Sequence, residues 1–155
     1  MRQMTILVAV MLFVAQATAQ DASKVVFVPA SQLHSDLGKA AELVPGLRFL
    51  RVVDTPEYLS GVIHRTAITF GEVHKHMTDI WYVTEGGGIL VTGGSLTAAT
   101  ENSPGEFRGS AISGGDEQKI AKGDFVRIPA GVPHWIRKID GKELEYLIVK
   151  VPSPK

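Results

Sequence analysis

Two histidines and two carboxylates fall within eight residues of this sequence, at Glu72, His74, His76 and Asp79. Residues two apart on a β-strand point to the same side, so the first three share one face if the segment is extended. Imidazole and carboxylate groups are suitable ligands for Fe, Mn, Ni, Cu and Zn. The spacing therefore suggests part of a metal site. A proton relay and an exposed polar run are the other interpretations.

A metal is rarely enclosed by one short segment, and His134 is the candidate that could complete the site. It follows the sequence Pro-Ala-Gly-Val-Pro at 129–133, whose prolines and glycine restrict the backbone and fix the direction of the histidine. The chain contains no cysteine, so nitrogen and oxygen atoms would have to hold any metal.

The elements that must position these residues are predicted to be mostly β-strands. Sixteen glycines and eight prolines separate short apolar runs, which is typical of an all-β barrel or sandwich. Leucines at helical spacing predict one short helix at 31–41. The predicted strands cover 47–53, 62–70, 80–84, 89–92, 119–121, 125–128, 134–139 and 144–151.

Two connections between these strands have a distinctive composition. Gly86-Gly87-Gly88 separates two apolar runs and is interpreted as a hairpin turn. The stretch 93–116 is rich in Gly, Ser, Thr and Asn and is long for a connection. We expect it to be either a flexible flap or a functional loop.

The segment around His134 resembles the second motif of the cupin superfamily, which is Gly, five residues, Pro, one residue, Gly, two residues and His. Gly123, Pro129, Gly131 and His134 occupy every one of these positions. The asparagine that the family has four residues later is Lys138 here.

The segment around Asp79 resembles the first cupin motif, which is HxH, three or four residues, Glu, six residues and Gly. Asp79 stands six residues before Gly86, which matches the end of the motif with Asp in place of Glu. Only two residues separate His76 from Asp79, so the beginning of the motif departs from the family pattern.

Two alignments of the first motif are therefore possible, and both keep His74, Asp79 and His134 as metal ligands. In the first alignment His76 is the fourth ligand, and in the second Glu72 takes that place. The first keeps the three histidines and one carboxylate that are usual in the superfamily, and we favour it because imidazole suits a wider range of ions. The resemblance implies one divalent transition metal, with Fe, Mn, Zn, Ni and Cu all compatible.

The resemblance covers about 62–151 and implies a small single-domain bacterial cupin. The expected fold is all-β, a single antiparallel cupin-type β-barrel (jelly roll) with one short N-terminal helix. The domain would span 20–155, with motif 1 at about 72–86 and motif 2 at about 123–138. The family also implies a homodimer.

The implied function is a metal-dependent enzyme of dioxygenase, lyase or isomerase type acting on a small organic molecule. A non-enzymatic cupin that binds a small ligand, such as a sugar or organic acid, is the alternative. A structural module with a vestigial site is the third possibility. The fold does not choose between these functions, because it hosts many chemistries.

Four further residues are candidates for the substrate pocket. Strand alternation from Asp79 places Trp81 on the inward face. Tyr146 and Arg127 lie on late strands and could meet a substrate carboxylate or donate a proton, and His64 lies on a strand next to the first motif. Nothing in the sequence identifies a general base.

The first nineteen residues are typical of a Sec-type signal peptide. Arg2 precedes an apolar run at 6–15, and Ala17-Thr18-Ala19 forms a small-x-small cleavage site. The run is shorter than the roughly 20 residues that span a bilayer, which disfavours a retained membrane anchor. We therefore expect a periplasmic or secreted protein that begins near Gln20, has no disulfides and is not bound to a membrane.

The charge of the chain argues against two classes of partner, nucleic acids and anionic membranes. Sixteen basic and sixteen acidic residues balance, and removal of Arg2 leaves 15 against 16. This composition lacks the basic surface that nucleic acids or anionic membranes require. A small molecule is the expected partner.

Overall fold

The computed structural model describes residues 24–153. The predicted signal peptide, 1–19, lies outside the described residues. Within them, no helix has both the length and the apolar character needed to cross a bilayer.

The helix α1 spans Ala30–Lys39, close to its predicted position. Its one fully buried side chain, Leu37, anchors it beside the sheet. At its carboxyl end, Arg48 donates hydrogen bonds from Nη1 to the carbonyl oxygens of Gly38 (2.7 Å) and Ala40 (3.2 Å). These bonds satisfy carbonyls that a helix end leaves without partners.

The rest of the described chain is built from antiparallel strands, which confirms the all-β prediction with one short helix. The strands are β1 Glu42–Val44, β2 Leu47–Asp54, β3 Leu59–Arg65, β4 Gly71–His74, β5 Met77–Thr92, β6 Ser95–Thr97, β7 Thr100–Ser103, β8 Glu106–Gly109, β9 Ala111–Ser113, β10 Asp116–Ala121, β11 Phe125–Ile128 and β12 His134–Pro152.

The long strand β12 organises the sheet. The main order is β1-β2-β3-β12-β4-β8-β7, and β12 also pairs with β5, which in turn pairs with β10 and β11. Strands β6 and β9 form a separate two-stranded sheet. Because β12 pairs with three different strands, the main sheet curls around a common interior.

The predicted hairpin turn at the three glycines is wrong, because β5 runs through them without reversing. A Cβ added to Gly86 would lie 1.9 Å from the carbonyl oxygen of Glu143, and one added to Gly88 would lie 2.1 Å from that of Lys138. Gly86 also has a φ of +70°. The glycines therefore allow β12 to approach β5 closely, which any larger side chain would prevent.

Two other predicted segments differ from the structure in a related way. The strands expected at 134–139 and 144–151 are one strand, β12, whose pairing with β5 shifts in register between Asp140 and Leu144. The stretch 93–116 is not a simple connection, because it contains β6, β7, β8 and β9. Their short lengths and polar composition hid them from pattern analysis.

The core fills the interior of the curled sheet. On β5, Trp81 and Val83 are buried, and on β12, Tyr146 and Ile148 are buried, as strand alternation requires. The core cluster consists of Leu47, Ile63, Trp81, Val83, Leu90, Ile120, Ile128, Ile136, Leu144, Tyr146 and Ile148. At one end this apolar interior gives way to buried polar groups.

Candidate metal centre

The polar groups at this end come from three neighbouring strands; His74, Asp79 and His134 are buried, and Glu72 and Lys150 are partly buried. Glu72 and His74 lie on β4, Asp79 lies on β5, and His134 and Lys150 lie on β12. The strand register brings them together, because His134 stands opposite Glu72 and Lys150 opposite Asp79. Residues that are distant in sequence thus meet as cross-strand neighbours.

The ring of His74 is held by a carboxylate from the stretch that was predicted to be a loop. Nδ1 of His74 forms a hydrogen bond with Oε2 of Glu106 on β8, and only an Nδ1–H can donate to that oxygen. This tautomer leaves the Nε2 lone pair free to face the interior. A histidine held in this way by a carboxylate is the usual arrangement at protein metal sites.

The ring of His134 also has its lone pair on Nε2. Nδ1 of His134 donates to the carbonyl oxygen of Val132 at 3.1 Å, so Nε2 carries the lone pair. Within the described part of the chain, this Nε2 is the only buried side-chain nitrogen or oxygen atom without a hydrogen-bond partner. A buried acceptor without a partner is unfavourable, and a metal ion would supply one.

Three of the candidate ligands are close enough to bind one ion. Glu72, His74 and His134 each offer an atom within 4.8 Å of the others. Two neutral imidazoles and one carboxylate are a donor set suited to a divalent transition metal. The residues present therefore fit the metal that the resemblance implies.

His76, which the favoured alignment made a ligand, lies outside this group. Strand β4 ends at His74 and β5 begins at Met77, so the chain turns at His76 and the predicted alternation does not reach it. The side chain is exposed, and its Cδ2 would be 2.8 Å from a Cβ added to Gly105. Glu72, the fourth ligand of the second alignment, does belong to this group.

Asp79 reaches the two histidines but is engaged by a cation. Its Oδ2 lies 3.7 Å from Nε2 of His74 and 3.8 Å from Nε2 of His134. Lys150 donates from Nζ to both oxygens of Asp79, at 2.7 and 2.9 Å, and to Nε2 of His74 at 2.8 Å. The lysine ammonium therefore lies between two of the predicted ligands.

The charge states of Asp79 and His134 follow from this environment. Burial alone would raise the pKa of Asp79, but Lys150, His134 and His74 together outweigh it and hold the pKa below its usual value. Burial lowers the pKa of His134. Asp79 is therefore ionised and His134 neutral near pH 7, which are the forms that bind a metal.

We expect the free energy of unfolding of the metal-free protein to fall as the pH is lowered from about 7 to about 5. Below its ordinary pKa of about 6.5, His134 binds a proton in the unfolded chain but stays neutral when folded, so protonation favours unfolding. Asp79, whose folded pKa is lowered, adds a further loss as the pH falls below about 4. Denaturant titrations at several pH values measure both effects.

A matched pair of variants tests whether His134 causes the loss of unfolding free energy between pH 7 and 5. His134→Leu should flatten the slope there, whereas His34→Leu, on the exposed side of α1, should leave it as in the parent. An equal slope in His134→Leu and the parent would contradict this assignment.

Glu72 forms a second ion pair at the site, with Arg65. Arg65 on β3 is 4% exposed, and its Nη2 lies 3.5 Å from Oε1 of Glu72. Arg65 also donates from Nε to the hydroxyl of Tyr146 at 3.1 Å and from Nη1 to Oγ1 of Thr69 at 2.7 Å. Arg65 thus compensates the buried charge of Glu72 and orients Tyr146.

These groups open into a cavity of about 390 Å³. Trp81 and Tyr146, two of the predicted pocket residues, line it with their rings stacked at a centroid distance of 4.4 Å. Its other lining residues are a mixture of apolar and charged side chains that include Phe49, Phe70, Ile148, Arg51 and Arg108. The size is adequate for a small organic molecule.

The other two predicted pocket residues lie elsewhere. His64 faces away from Arg65 into a different cavity beside α1, and its Nε2 is 2.8 Å from Oε2 of Glu143. Arg127 is exposed on β11. Neither side chain lines the cavity next to the candidate metal centre.

Three residues of the site were not identified from the sequence. Lys150 continues the inward alternation of Tyr146 and Ile148 on β12, so its position in a core-facing register was a usable sign. Arg65 shares its face with Ile63, whereas His64 points the other way. No sequence pattern identified Glu106 as a site residue, because its strand was not predicted.

Comparisons with known proteins establish the fold. No protein-family model matches the sequence, and a comparison with curated proteins gives no match. Solved structures do match. KdgF from Halomonas sp. has a TM-score of 0.50 and 14% identity, over 74% of this chain and 87% of that one.

Two further structures carry the same conclusion. The cupin domain of Cnp3 from Schizosaccharomyces pombe has a TM-score of 0.50 and 14% identity, over 74% of this chain and 71% of that one. A variant of salicylate 1,2-dioxygenase from Pseudoaminobacter salicylatoxidans has a TM-score of 0.50 and 18% identity, over 77% of this chain and 30% of that one. The chain has the cupin fold, as the two motifs predicted.

Proposed function

We propose that this protein is a metal-dependent cupin enzyme that acts on a small organic molecule. One divalent transition ion would be held by Glu72, His74 and His134, with Asp79 as a further ligand. The observation that carries the proposal is the buried, unpartnered Nε2 of His134 beside a His74 ring already held in the ligand tautomer. Such an ion supplies Lewis-acid chemistry and, if it is iron, redox chemistry with dioxygen.

The residues around the cavity support a role in binding and orientation. The pKa of Tyr146 is raised by burial to about 12, so its hydroxyl stays protonated at neutral pH. Because this hydroxyl accepts its hydrogen bond from Arg65, its own proton remains available to a substrate. Tyr146 can therefore donate a hydrogen bond or a proton, while Trp81 supplies an apolar wall.

A small organic acid is the substrate class that the cavity favours. Arg108 on β8 lines the cavity with its guanidinium 4.0 Å from the ring centroid of Phe70. Among residues 24–153 it has no carboxylate partner at ion-pair distance. A guanidinium held in this way is suited to a substrate carboxylate. The proposed reaction classes are those of dioxygenases, lyases and isomerases.

A second candidate is a non-enzymatic cupin that binds a small ligand without a metal. The observation in its favour is Lys150, whose ammonium already engages Asp79 and His74. In that case the lysine would be a permanent substitute for the ion. Metal analysis separates the two candidates.

Export and dimerisation are further proposals that rest on the sequence. The features of 1–19 support a Sec-type signal peptide and a periplasmic or secreted location. The family resemblance supports a homodimer, and the exposed side chain of Leu43 offers apolar surface on the edge strand β1.

The proposed function predicts one bound ion per chain in protein purified without a histidine tag. Glu72→Gln should weaken binding by roughly 10–100-fold, because a neutral amide is a poorer ligand than a carboxylate. His76→Ala should bind as the parent does. Elemental analysis and chelator competition measure stoichiometry and affinity. If Glu72→Gln retains the parental affinity and His76→Ala loses it, the first alignment holds instead.

A further inference from the structure

We propose that the ammonium of Lys150 and a bound metal ion compete for the same lone pair of His74. Lys150 would be a resident cation that keeps the metal-free centre assembled and must withdraw when a metal binds. This inference rests on the proposed metal-binding function and adds a control element to that site.

The competition follows from the hydrogen bonds of His74. A neutral imidazole has one N–H and one lone pair, and the N–H at Nδ1 is used by Glu106. The lone pair at Nε2 accepts a hydrogen bond from Lys150 Nζ at 2.8 Å. One lone pair cannot accept this bond and coordinate an ion at the same time. Metal binding through His74 therefore requires that Lys150 give up this contact.

The balance of buried charge leads to the same conclusion. Arg65 and Lys150 are the two cations that compensate the carboxylates of Glu72 and Asp79. A divalent ion added beside Lys150 would meet a like charge in a poorly solvated site. Withdrawal of Lys150 relieves this repulsion and frees the oxygens of Asp79, one of which is already within 3.8 Å of both histidine nitrogens.

Lys150 has the freedom to withdraw. Its side chain lines the cavity and is 17% exposed, whereas that of Asp79 is only 2% exposed. Lysine carries its charge on a flexible four-carbon stem and regains water readily when it turns outward. Lys150 is also only two residues from the end of β12.

The first test is the affinity of Zn²⁺ for chelator-treated parent and Lys150→Met protein, measured by competition with a chromophoric chelator. Lys150→Met should bind Zn²⁺ about 10-fold more tightly or better, because the parent must first leave a lysine-bound state that dominates its population. Lys122→Met is the matched control, since Lys122 also pairs with a carboxylate, Glu85 at 2.8 Å, but on the exposed surface. It should bind as the parent does.

The second test uses the parent protein alone and separates displacement from a simple charge effect. The acylation rate of Lys150 by an amine-reactive reagent, read by peptide mass spectrometry, should rise when Zn²⁺ saturates the site. The rate at Lys122 should stay constant.

The outcomes are distinguishable. Equal affinities in the parent and Lys150→Met, or a Lys150 acylation rate unaffected by saturating Zn²⁺, would overturn the competition while leaving the metal site intact. Binding by Lys150→Met but not by the parent would support the competition and remove the metal from the proposed function of the native chain. Absence of binding in both proteins would refute the competition and the metal-dependent function together.

Discussion

The double variant His74→Ala/His134→Ala should lose metal binding by at least about 1000-fold, since loss of one group that merely orients a ligand already costs about 10–100-fold. The change removes both nitrogen donors and leaves only carboxylates and water, which hold transition ions weakly and without selectivity. Chelator competition and elemental analysis of the purified protein measure the loss.

The control is His34→Ala/His76→Ala, which removes the same number of histidines from exposed positions. It should keep one ion per chain. Circular dichroism and thermal melting of the metal-free proteins establish that both double variants are folded. A full metal content in folded His74→Ala/His134→Ala would show that the ion, if present, is bound elsewhere.

The largest expected loss of stability comes from Arg65→Met. Removal of the guanidinium leaves the partly buried Glu72 without this cation and takes hydrogen-bond donors from Tyr146 and Thr69. Loss of one partner of a buried ion pair typically costs about 3–5 kcal/mol of unfolding free energy. Denaturant unfolding of the metal-free protein measures it.

Two further variants show whether the uncompensated charge is the cause. Arg51→Met breaks an exposed pair with Asp54, at 2.9 Å, and should cost at most about 1 kcal/mol. Arg65→Met/Glu72→Gln removes both charges and should recover part of the stability lost in Arg65→Met. If the double variant is no more stable than Arg65→Met, packing rather than charge is responsible for the loss.

Local patterns in the sequence predict part of the fold and of the candidate site. The all-β class could be predicted, and His74, Asp79 and His134 could be selected as candidate ligands, because strand alternation, turn residues and the two cupin-like motifs are local patterns. The inward position of Trp81 followed from the same alternation. Local spacing carries this information because the side-chain period of a strand is two residues whatever the strand pairs with.

Local spacing in the sequence could not distinguish His76 from Glu72 as the fourth candidate ligand. Two residues before and two residues after His74 are equivalent in a continuous strand, and only the end of β4 removes His76 from that strand. Where a strand ends depends on its partner, here β8, whose pairing with β4 reaches His74. The same dependence turned the predicted glycine hairpin into a continuous strand, because close approach of β12 requires those glycines.

The sequence by itself determined the fold class, the candidate nitrogen donors and the absence of thiolate ligands, since residue types and short-range periodicity are sufficient for these. Only the tertiary structure decided which cationic side chains lie at the site. Lys150 meets Asp79 and Arg65 meets Glu72 through pairings between strands that are far apart in the chain. Such contacts arise from the register of a curled sheet, and the effective field at the candidate ligands depends on these contacts as much as on the ligands themselves.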